Sequence, residues 1–239
     1  MSLLEVTDLG KNFGGLRAVF GLSFNLKANE ILGLIGPNGA GKTTAFNLMA
    51  GFIPPSSGEV RLEGRNIVGL KPHSIVKRGI ARTFQVVKPF RKLSVLENVT
   101  LAAFLHHPRR AEATAEARRI LGLLDLTDKA EGAASDLTLA QQKRLEIARC
   151  LATRPKILFL DEPMGGLNAT EVEAACDLVL RLRSEGIAVI LVEHHMRAIM
   201  RISDRVLVLH HGVPIADGKP EAVVRDPDVV RAYLGEGKA

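Results

Sequence analysis

The first sixty residues alternate short apolar segments with turns. A helix is predicted at 43–50, where Gly51 ends it, and the Pro and Ser residues at 54–58 predict a turn. On both sides of this helix, apolar and β-branched residues occur in short runs or at alternating positions, as strands require. The pattern predicts strands at 2–8, 17–26, 30–35 and 59–62.

The rest of the chain divides into a helical part and a part with buried strands. Between 93 and 153, Ala, Leu, Glu and Arg recur at helical spacing and strand signals disappear. Continuous apolar runs then predict strands at 157–160, 187–192 and 206–209, with a helix at 170–184. Such runs are typical of strands buried on both faces of a parallel sheet. We therefore expect an α/β protein whose parallel core is interrupted by a helical insert.

The composition indicates a globular protein of a reducing compartment. Of the 239 residues 46% are hydrophobic, yet no run approaches the ~18 apolar residues of a membrane-spanning helix. The N-terminus lacks the charged start and apolar core of a secretion signal. Cys150 and Cys176 fall within helical patterns and are expected to be buried and unpaired. These features predict a cytosolic protein.

The net charge of +6 does not by itself indicate nucleic-acid binding. Basic residues are interleaved with Asp and Glu, and the densest groups, 108–110 and 118–119, fall on a predicted solvated helix face. No aromatic pair flanks them, so a surface on which bases stack is not expected. The histidine pairs 106–107 and 210–211 lack a cysteine or carboxylate at ligand spacing and predict no metal site.

One glycine-rich stretch, GPNGAGKTT, carries the first recognisable chemistry. Gly36, Gly39 and Gly41 let the backbone turn tightly between a strand and a helix, so that its N–H groups converge on phosphate oxygens. Lys42 can reach the β- and γ-phosphates, and the Thr43 hydroxyl can ligate Mg²⁺. The stretch predicts nucleotide binding. The predicted nucleotide-binding residues here are Gly36, Pro37, Asn38, Gly39, Ala40, Gly41, Lys42, Thr43 and Thr44.

Two adjacent acids follow the buried run at 157–160. Ligands of open α/β sheets bind at the carboxyl ends of the strands, which is where Asp161 and Glu162 are expected. Asp161 would lie near the Mg²⁺, and Glu162 could orient or deprotonate an attacking water. Adjacent acids at the end of a strand can also serve only to cap the next helix, but the phosphate cradle in the same chain favours the catalytic interpretation.

Five segments now occur in a characteristic order along essentially the whole chain. They are GPNGAGKT, ARTFQ (81–85), LTLAQQKRLEIAR (137–149), ILFLDEP (157–163) and VILVEHH (189–195). Together they resemble the nucleotide-binding subunit of an ABC transporter. The resemblance implies a P-loop NTPase core with a mostly parallel sheet, an N-terminal antiparallel β portion and an all-helical insert. The implied core comprises 1–84 and 155–239, and the implied helical subdomain is 85–154.

The resemblance also assigns roles to individual residues. Gln85 would ligate Mg²⁺ together with Thr43 and Asp161 and would sense the γ-phosphate. His194 matches the switch histidine of the family and would act with Glu162 in catalysis. Phe13, in GKNFGG, matches the aromatic that stacks on adenine. The expected cofactors are ATP and Mg²⁺, and the expected activity is ATP hydrolysis.

The family signature, usually LSGGQ, is altered in this chain. In the family this segment binds the γ-phosphate of ATP held by the opposite subunit. Leu139 replaces a glycine, which leads us to expect a weakened or asymmetric site or a natural variant of full activity. The loop 166–168, which matches the one that crosses to the other subunit, lacks the aspartate often found there. The residues expected to act on the partner's ATP are Thr138, Leu139, Ala140 and Gln141.

One cradle and one signature make the chain one half of the family's ATPase. The resemblance implies a second ATPase subunit, identical or different, and separate transmembrane permease subunits, with a solute-binding protein as an indirect partner. The segment after Gln85, PFRKLSVLENV, is where the family docks its permease. The chain is then expected to be cytoplasmic and peripheral on the inner face of the cell membrane.

Further segments resemble the ATPases of branched-chain amino acid importers. They are GIARTFQ, FRKLSVLENV, QQKRLEIAR, LVEHHM and the tail PEAVVRDPDVVRAYLGE. Relatives in that subgroup serve urea, short amides and other small solutes, which remain alternatives. A soluble, non-transport ABC ATPase is another alternative, although no heptads are sustained between 85 and 137. A P-loop kinase would leave the signature and His194 unexplained.

Overall fold

The computed structural model describes residues 2–234 and contains two sheets flanked by helices. Ten strands are assigned. They are β1 (Ser2–Phe13), β2 (Leu16–Lys27), β3 (Ile31–Ile35), β4 (Ser57–Leu62), β5 (Arg65–Asn66), β6 (Ile80–Arg82), β7 (Ile157–Asp161), β8 (Ala188–Val192), β9 (Arg205–His210) and β10 (Val213–Gly218).

The α-helices lie between these strands and, in the middle of the chain, follow one another directly. They are α1 (Lys42–Met49), α2 (Pro72–Lys77), α3 (Val95–Ala103), α4 (Arg110–Leu123), α5 (Leu139–Leu151), α6 (Ala169–Ser184), α7 (Met196–Ile202), α8 (Pro220–Val223) and α9 (Pro227–Leu234). No helix within residues 2–234 has the length and apolarity needed to cross a bilayer.

The larger sheet has six strands in the order β10-β9-β3-β8-β7-β6. Five of them are parallel, and β10 pairs antiparallel with β9 at one edge. Every residue of β3, β7 and β8 is buried, which explains the continuous apolar runs in their sequences. Because β3, β8, β7 and β6 are neighbours, the loops that follow these four strands meet at one edge of the sheet.

The smaller sheet is antiparallel, with the order β2-β1-β4-β5. Strand β1 runs to Phe13, beyond the predicted end at residue 8, because it continues to pair with β2 through several register shifts. The β1–β2 hairpin packs against the cradle side of the larger sheet, where the N–H of Phe20 donates to the carbonyl of Gly212. The N-terminal antiparallel portion and the mostly parallel core are thus confirmed.

The helical insert contains α3, α4 and α5, as its composition predicts. Two of these helices begin with capping boxes, in which Ser94 caps α3 and Thr138 caps α5. The apolar faces of the three helices merge with residues under the larger sheet into one hydrophobic cluster. A second cluster lies between the two sheets, where the rings of Phe46 and Phe159 are 5.2 Å apart.

Several elements are absent from the sequence-based prediction, among them β6, β10 and α2. Strand β6 has only three residues, and β7, the strand with which it pairs, lies more than seventy residues further along the chain. Strand β10 is an edge strand with no fully buried residue, so it lacks an apolar run. Helix α2 has six residues and begins at a proline. Each is too short or too exposed for periodicity to reveal.

Candidate functional site

The phosphate cradle between β3 and α1 requires glycine at two positions. Gly36 and Gly41 have φ of 151° and 100°, which side-chain-bearing residues rarely adopt. A Cβ on Gly36 would lie 2.1 Å from the carbonyl oxygen of Leu209, and one on Gly41 would lie 2.5 Å from that of Ala18. No side chain caps α1, so the positive end of this helix stays available to an anion.

Lys42 is held inside the cradle. Its side chain is buried, and Nζ donates to the carbonyl oxygens of Gly36 at 2.7 Å and Pro37 at 3.0 Å. Burial lowers the pKa of Lys42, while Glu162 and Asp161 act in the opposite direction. The ammonium group is therefore positioned over the loop by backbone oxygens and lies in the field of both acids.

The three predicted metal ligands lie around one cleft. Thr43, Gln85 and Asp161 all line a cavity of about 720 Å³ that runs between the core and the helical insert. Their oxygens are the hydroxyl, amide and carboxylate donors that Mg²⁺ prefers. The donor set and the glycine cradle together fit a bound Mg-nucleotide.

Asp161 has a charge partner that the sequence did not reveal. Arg82 Nη2 donates to Asp161 Oδ2 at 2.8 Å, and Nη1 donates to Asn47 Oδ1. Both members of the ion pair are almost fully buried, and the guanidinium lies 5.2 to 5.6 Å from the ring centres of three phenylalanines. Arg82 therefore fixes one oxygen of Asp161 and leaves the other for a ligand. The three aromatic residues are Phe46, Phe52 and Phe84.

The carboxylate of Glu162 is in hydrogen-bond contact with the two residues that the resemblance associates with the γ-phosphate. Gln85 Nε2 donates to Glu162 Oε2 at 2.9 Å, and His194 Nε2 lies 2.9 Å from Glu162 Oε1. An ionised carboxylate only accepts hydrogen bonds, so this ring nitrogen carries a hydrogen when Glu162 is charged. Lys143 Nζ donates to the backbone carbonyl of Glu162 at 2.7 Å. The structure thus unites residues from the ends of β6, β7 and β8.

The backbone of Glu162 is itself unusual. Its φ is 49°, in the left-handed region that residues other than glycine seldom occupy. Glu193 joins the loops that follow β7 and β8, because its buried carboxylate accepts hydrogen bonds from the N–H groups of Met164, His194 and His195. A strained residue with its own support is a common feature of functional sites.

The altered signature begins helix α5, with Thr138 and Leu139 exposed. Thr138 Oγ1 accepts from the N–H of Gln141 at 3.4 Å, and Gln141 Oε1 accepts from the N–H of Thr138 at 3.0 Å. Leu139 is 46% exposed, and its Cδ2 lies 3.0 Å from where a Cβ of Gly166 would be. Among residues 2–234, no hydrogen bond joins this segment to the cradle.

Phe13 lies at the end of β1 with 49% of its surface exposed. Lys11 Nζ is 5.3 Å from the centre of the ring, so a positive charge lies over one face of the Phe13 side chain. An exposed aromatic beside a cation suits an electron-rich base and its phosphates. The stacking role remains a prediction.

Four charged residues of the site escaped the sequence analysis. Arg82, Lys143, Glu146 and Glu193 are buried or half-buried and bind backbone or carboxylate groups far away in sequence. All four lie inside motifs already quoted, namely ARTFQ, LTLAQQKRLEIAR and VILVEHH. A charged residue within an otherwise apolar, strand-like run was the available signal for Arg82 and Glu193.

The C-terminal helix also reaches the cradle. Burial raises the pKa of Tyr233, and a hydrogen bond with the backbone of Gly36 acts in the opposite direction. The phenol of α9 therefore lies against the first glycine of the phosphate loop. In the sequence, this tail contributes only to the resemblance to importer ATPases.

The site combines a glycine-rich phosphate loop, a lysine held over that loop and a hydrogen-bonded glutamate after a neighbouring strand. This combination is that of a P-loop nucleoside triphosphatase. Residues 19–165 match the family model described as "ABC transporter", and residues 213–239 match that described as "Branched-chain amino acid ATP-binding cassette transporter". The chain belongs to the ABC transporter family. The resemblance, the fold class and the ATPase activity predicted from the sequence are confirmed.

Curated relatives span nearly the same length. The chain is 43% identical to the high-affinity branched-chain amino acid transport ATP-binding protein BraF of Pseudomonas aeruginosa, over 98% of each chain. It is 44% identical to the protein LivG of Salmonella typhimurium, described in the same words, again over 98% of each. These relatives agree with the subgroup suggested by the sequence.

Solved structures of ATP-binding cassettes have the same fold. A nucleotide-free cassette from an ABC transporter superposes with a TM-score of 0.90 at 30% identity, over 99% of this chain and 100% of that one. A dimeric cassette in a post-hydrolysis state, bound to ADP and Pi, gives a TM-score of 0.81 at 26% identity, over 91% and 98%. The chain therefore has the fold of an ATP-binding cassette.

Proposed function

We propose that this chain hydrolyses ATP to power an importer of branched-chain amino acids, and that Glu162 is its catalytic base. The observation that carries the proposal is the contact of Glu162 with both Gln85 and His194 beside the Lys42 cradle. The 43–44% identity to branched-chain amino acid transport ATP-binding proteins supports the choice of transported solute.

Each residue of the site has a task that its position suits. The N–H groups of the cradle and Lys42 bind the phosphates, and Thr43, Gln85 and Asp161 would hold Mg²⁺, which would neutralise phosphate charge. Glu162 accepts a proton from the attacking water. His194 donates to one oxygen of Glu162 and so orients the other. Gln85 donates to Glu162 and would also ligate the metal, so it can couple nucleotide binding to the cleft.

The chain completes its ATP site with a second ATPase subunit. Thr138 and Leu139 are exposed, and among residues 2–234 no hydrogen bond joins the segment 138–141 to the chain's own cradle, so the segment is available to the nucleotide of another subunit. Thr138 accepts the N–H of Gln141 but keeps its own hydroxyl hydrogen, which can be donated to a phosphate. Leu139 lies beside the loop at Gly166 and would meet the partner directly. Either an identical or a different partner is compatible with these features.

The permease docks in the cleft that contains Gln85. Phe84 and Val86 are 45% and 66% exposed there, next to apolar Val76 and Ala102. Apolar side chains exposed in a concave surface fit an amphipathic segment of a partner. Because Gln85 and Asp161 line the same cleft, a segment bound there touches the nucleotide site. Closure of two ATPase subunits around ATP would then move the permease.

Uptake by cells that lack this chain tests the proposal. Labelled leucine, urea and acetamide should be supplied separately, with the cells complemented by the wild-type chain, by Glu162→Gln or by Glu112→Gln. We expect the wild type and Glu112→Gln, an exposed surface change, to restore leucine uptake, and Glu162→Gln to fail. Restoration of urea or amide uptake alone would assign the chain to the alternative solutes. Normal uptake with Glu162→Gln would refute the catalytic assignment.

A further inference from the structure

One face of helix α5 holds the loop that carries Gln85. The residues on this face are Glu146, Arg149 and Cys150. Arg149 and Cys150 follow Glu146 by three and four positions, so all three lie on one side of the helix. Glu146 Oε1 accepts from the N–H of Phe84 at 2.9 Å, Arg149 Nη1 donates to the carbonyl of Lys88 at 3.0 Å, and Cys150 Sγ donates to the carbonyl of Arg82 at 3.3 Å. The loop is therefore attached to α5 on both sides of Gln85.

The attachment at Glu146 is the one nearest to Gln85. Glu146 is 8% exposed, and its acceptor contact is with the residue immediately before Gln85. Arg149 binds three residues beyond Gln85 and Cys150 binds three residues before it. The carboxylate therefore fixes the peptide from which the Gln85 side chain projects towards Glu162.

A carboxylate is a costly choice for this task. Burial raises the pKa of Glu146 to about 7, although the hydrogen bond from Phe84 and the charges of Arg149 and Lys143 act in the opposite direction. The carboxylate of Asp161 adds to the rise, and Arg82 neutralises that acid. An apolar residue at 146 would avoid this cost but leave the N–H of Phe84 without its acceptor. The costly group thus supplies a contact that the site uses.

Helix α5 also begins at the signature. Thr138 caps it, and Glu146 lies two turns further along the same rigid element. A displacement of the signature by the partner's nucleotide is therefore passed along one helix to the loop that carries Gln85, and the hydrogen bond between Glu146 and Phe84 is the contact nearest to Gln85. The two ATP sites of a pair are thereby connected within one subunit.

We propose that Glu146 is a positioning residue that couples the signature helix to Gln85 and so sets the contact between Gln85 and Glu162. The proposal rests on the role of Gln85 in the proposed function. A buried acceptor that merely satisfies an amide would stabilise the fold but would not act on catalysis through one particular side chain. The two cases differ in a double-mutant cycle.

The experiment measures phosphate release by the full chain together with its partner subunits. The variants are Glu146→Ala, Glu146→Gln, Gln85→Ala and the double variant Glu146→Ala with Gln85→Ala. We expect Glu146→Ala to lower kcat by about tenfold to a hundredfold, with the KM for ATP changed by less than about threefold, because a misplaced side chain costs this much. Glu146→Gln keeps an acceptor oxygen and should stay close to the wild type. Adding Glu146→Ala to Gln85→Ala should lower kcat no further.

Asn98→Ala is the matched control. Asn98 is fully buried in the helical insert and also binds the same loop, accepting from the N–H of Phe90 and donating to its carbonyl, but five residues beyond Gln85. Its effect on kcat should multiply with that of Gln85→Ala. A second readout needs no nucleotide: amide hydrogen exchange at 84–86 should accelerate in Glu146→Ala and not in Glu146→Gln.

The outcomes separate the inference from the proposed function. Multiplicative effects of Glu146→Ala and Gln85→Ala would overturn the inference, as would a Glu146→Gln variant as slow as Glu146→Ala. An unchanged kcat for Gln85→Ala would instead overturn the role of Gln85 on which the inference rests. Equal coupling of Asn98 and Glu146 to Gln85 would show general loosening of the loop and would also overturn the inference.

Discussion

Replacing Glu146 by glutamine should stabilise the protein, and more so at pH 8 than at pH 5. The carboxyl is 8% exposed and its pKa is raised from 4.5 to about 7, with burial as the first cause. Glutamine has almost the same shape and can still accept from the N–H of Phe84, but it cannot ionise. The variant therefore removes the cost of the buried charge while it keeps the packing.

The sign of the pH dependence follows from proton binding. Between pH 4.5 and about 7 the folded wild type holds the proton of Glu146 more tightly than the unfolded chain does. The free energy of unfolding of the wild type therefore falls as pH rises through this window and stays low above it. At 1.36 kcal/mol per pKa unit the full loss is about 3 kcal/mol, of which about 2.5 kcal/mol falls between pH 5 and pH 8.

Urea unfolding followed by circular dichroism, at half-unit steps from pH 5 to pH 8, measures this difference. The free energy of unfolding of Glu146→Gln minus that of the wild type should increase by about 2 to 3 kcal/mol across the range. Other titrating groups cancel in this subtraction because both proteins contain them.

Glu116→Gln provides the opposite control. The hydrogen bond from Arg119 lowers the pKa of Glu116, so this carboxyl is mostly ionised in both states above pH 5. Its variant should lose stability by an amount that is nearly constant from pH 5 to pH 8. A pH-independent difference for Glu146→Gln as well would show that Glu146 ionises normally in the folded protein, and would refute the reasoning.

Three further predictions concern the nucleotide and the core. Glu162→Gln should still bind ATP but trap the closed pair, so light scattering should show its mass double when Mg-ATP is added; a monomer that binds ATP would require a different partner subunit. Phe13→Ala should weaken ATP binding by about 1–3 kcal/mol in titration calorimetry, because base stacking is lost, whereas Phe13→Tyr should bind normally. Phe159→Ala, at a fully buried ring, should lower the free energy of unfolding by about 3–5 kcal/mol, while Phe20→Ala, half-exposed, should change it little. Equal losses at both phenylalanines would contradict the core assignment.

Local patterns in the sequence predicted the main strands and the cradle well. Strands β3, β7 and β8 are buried on both faces, so apart from Gly33 and the terminal Asp161 their residues are apolar, and the run is visible without any partner. The cradle is equally local, because Gly36 and Gly41 are required by the backbone of one loop. The capping box that begins α5 is also a four-residue pattern.

The order of the strands required the folded structure. Strand β6 owes its three residues of pairing to β7, which is far away along the chain, and short segments carry too little periodicity to predict such a partner. The end of β1 at Phe13 likewise depends on continued pairing with β2 across irregular register. Non-local hydrogen bonding, rather than local propensity, set these boundaries.

The sequence by itself determined that this protein has one phosphate cradle, one pair of acids at the end of a buried strand and one signature helix, because each is fixed by residues close together in the chain. Only the tertiary structure decided what Glu162, Asp161 and Gln85 contact. Arg82 meets Asp161 across 79 positions and Glu146 meets Phe84 across 62. A charged group is tolerated in a buried site when a partner satisfies it, and that partner is supplied by the packing of distant elements rather than by its neighbours in sequence.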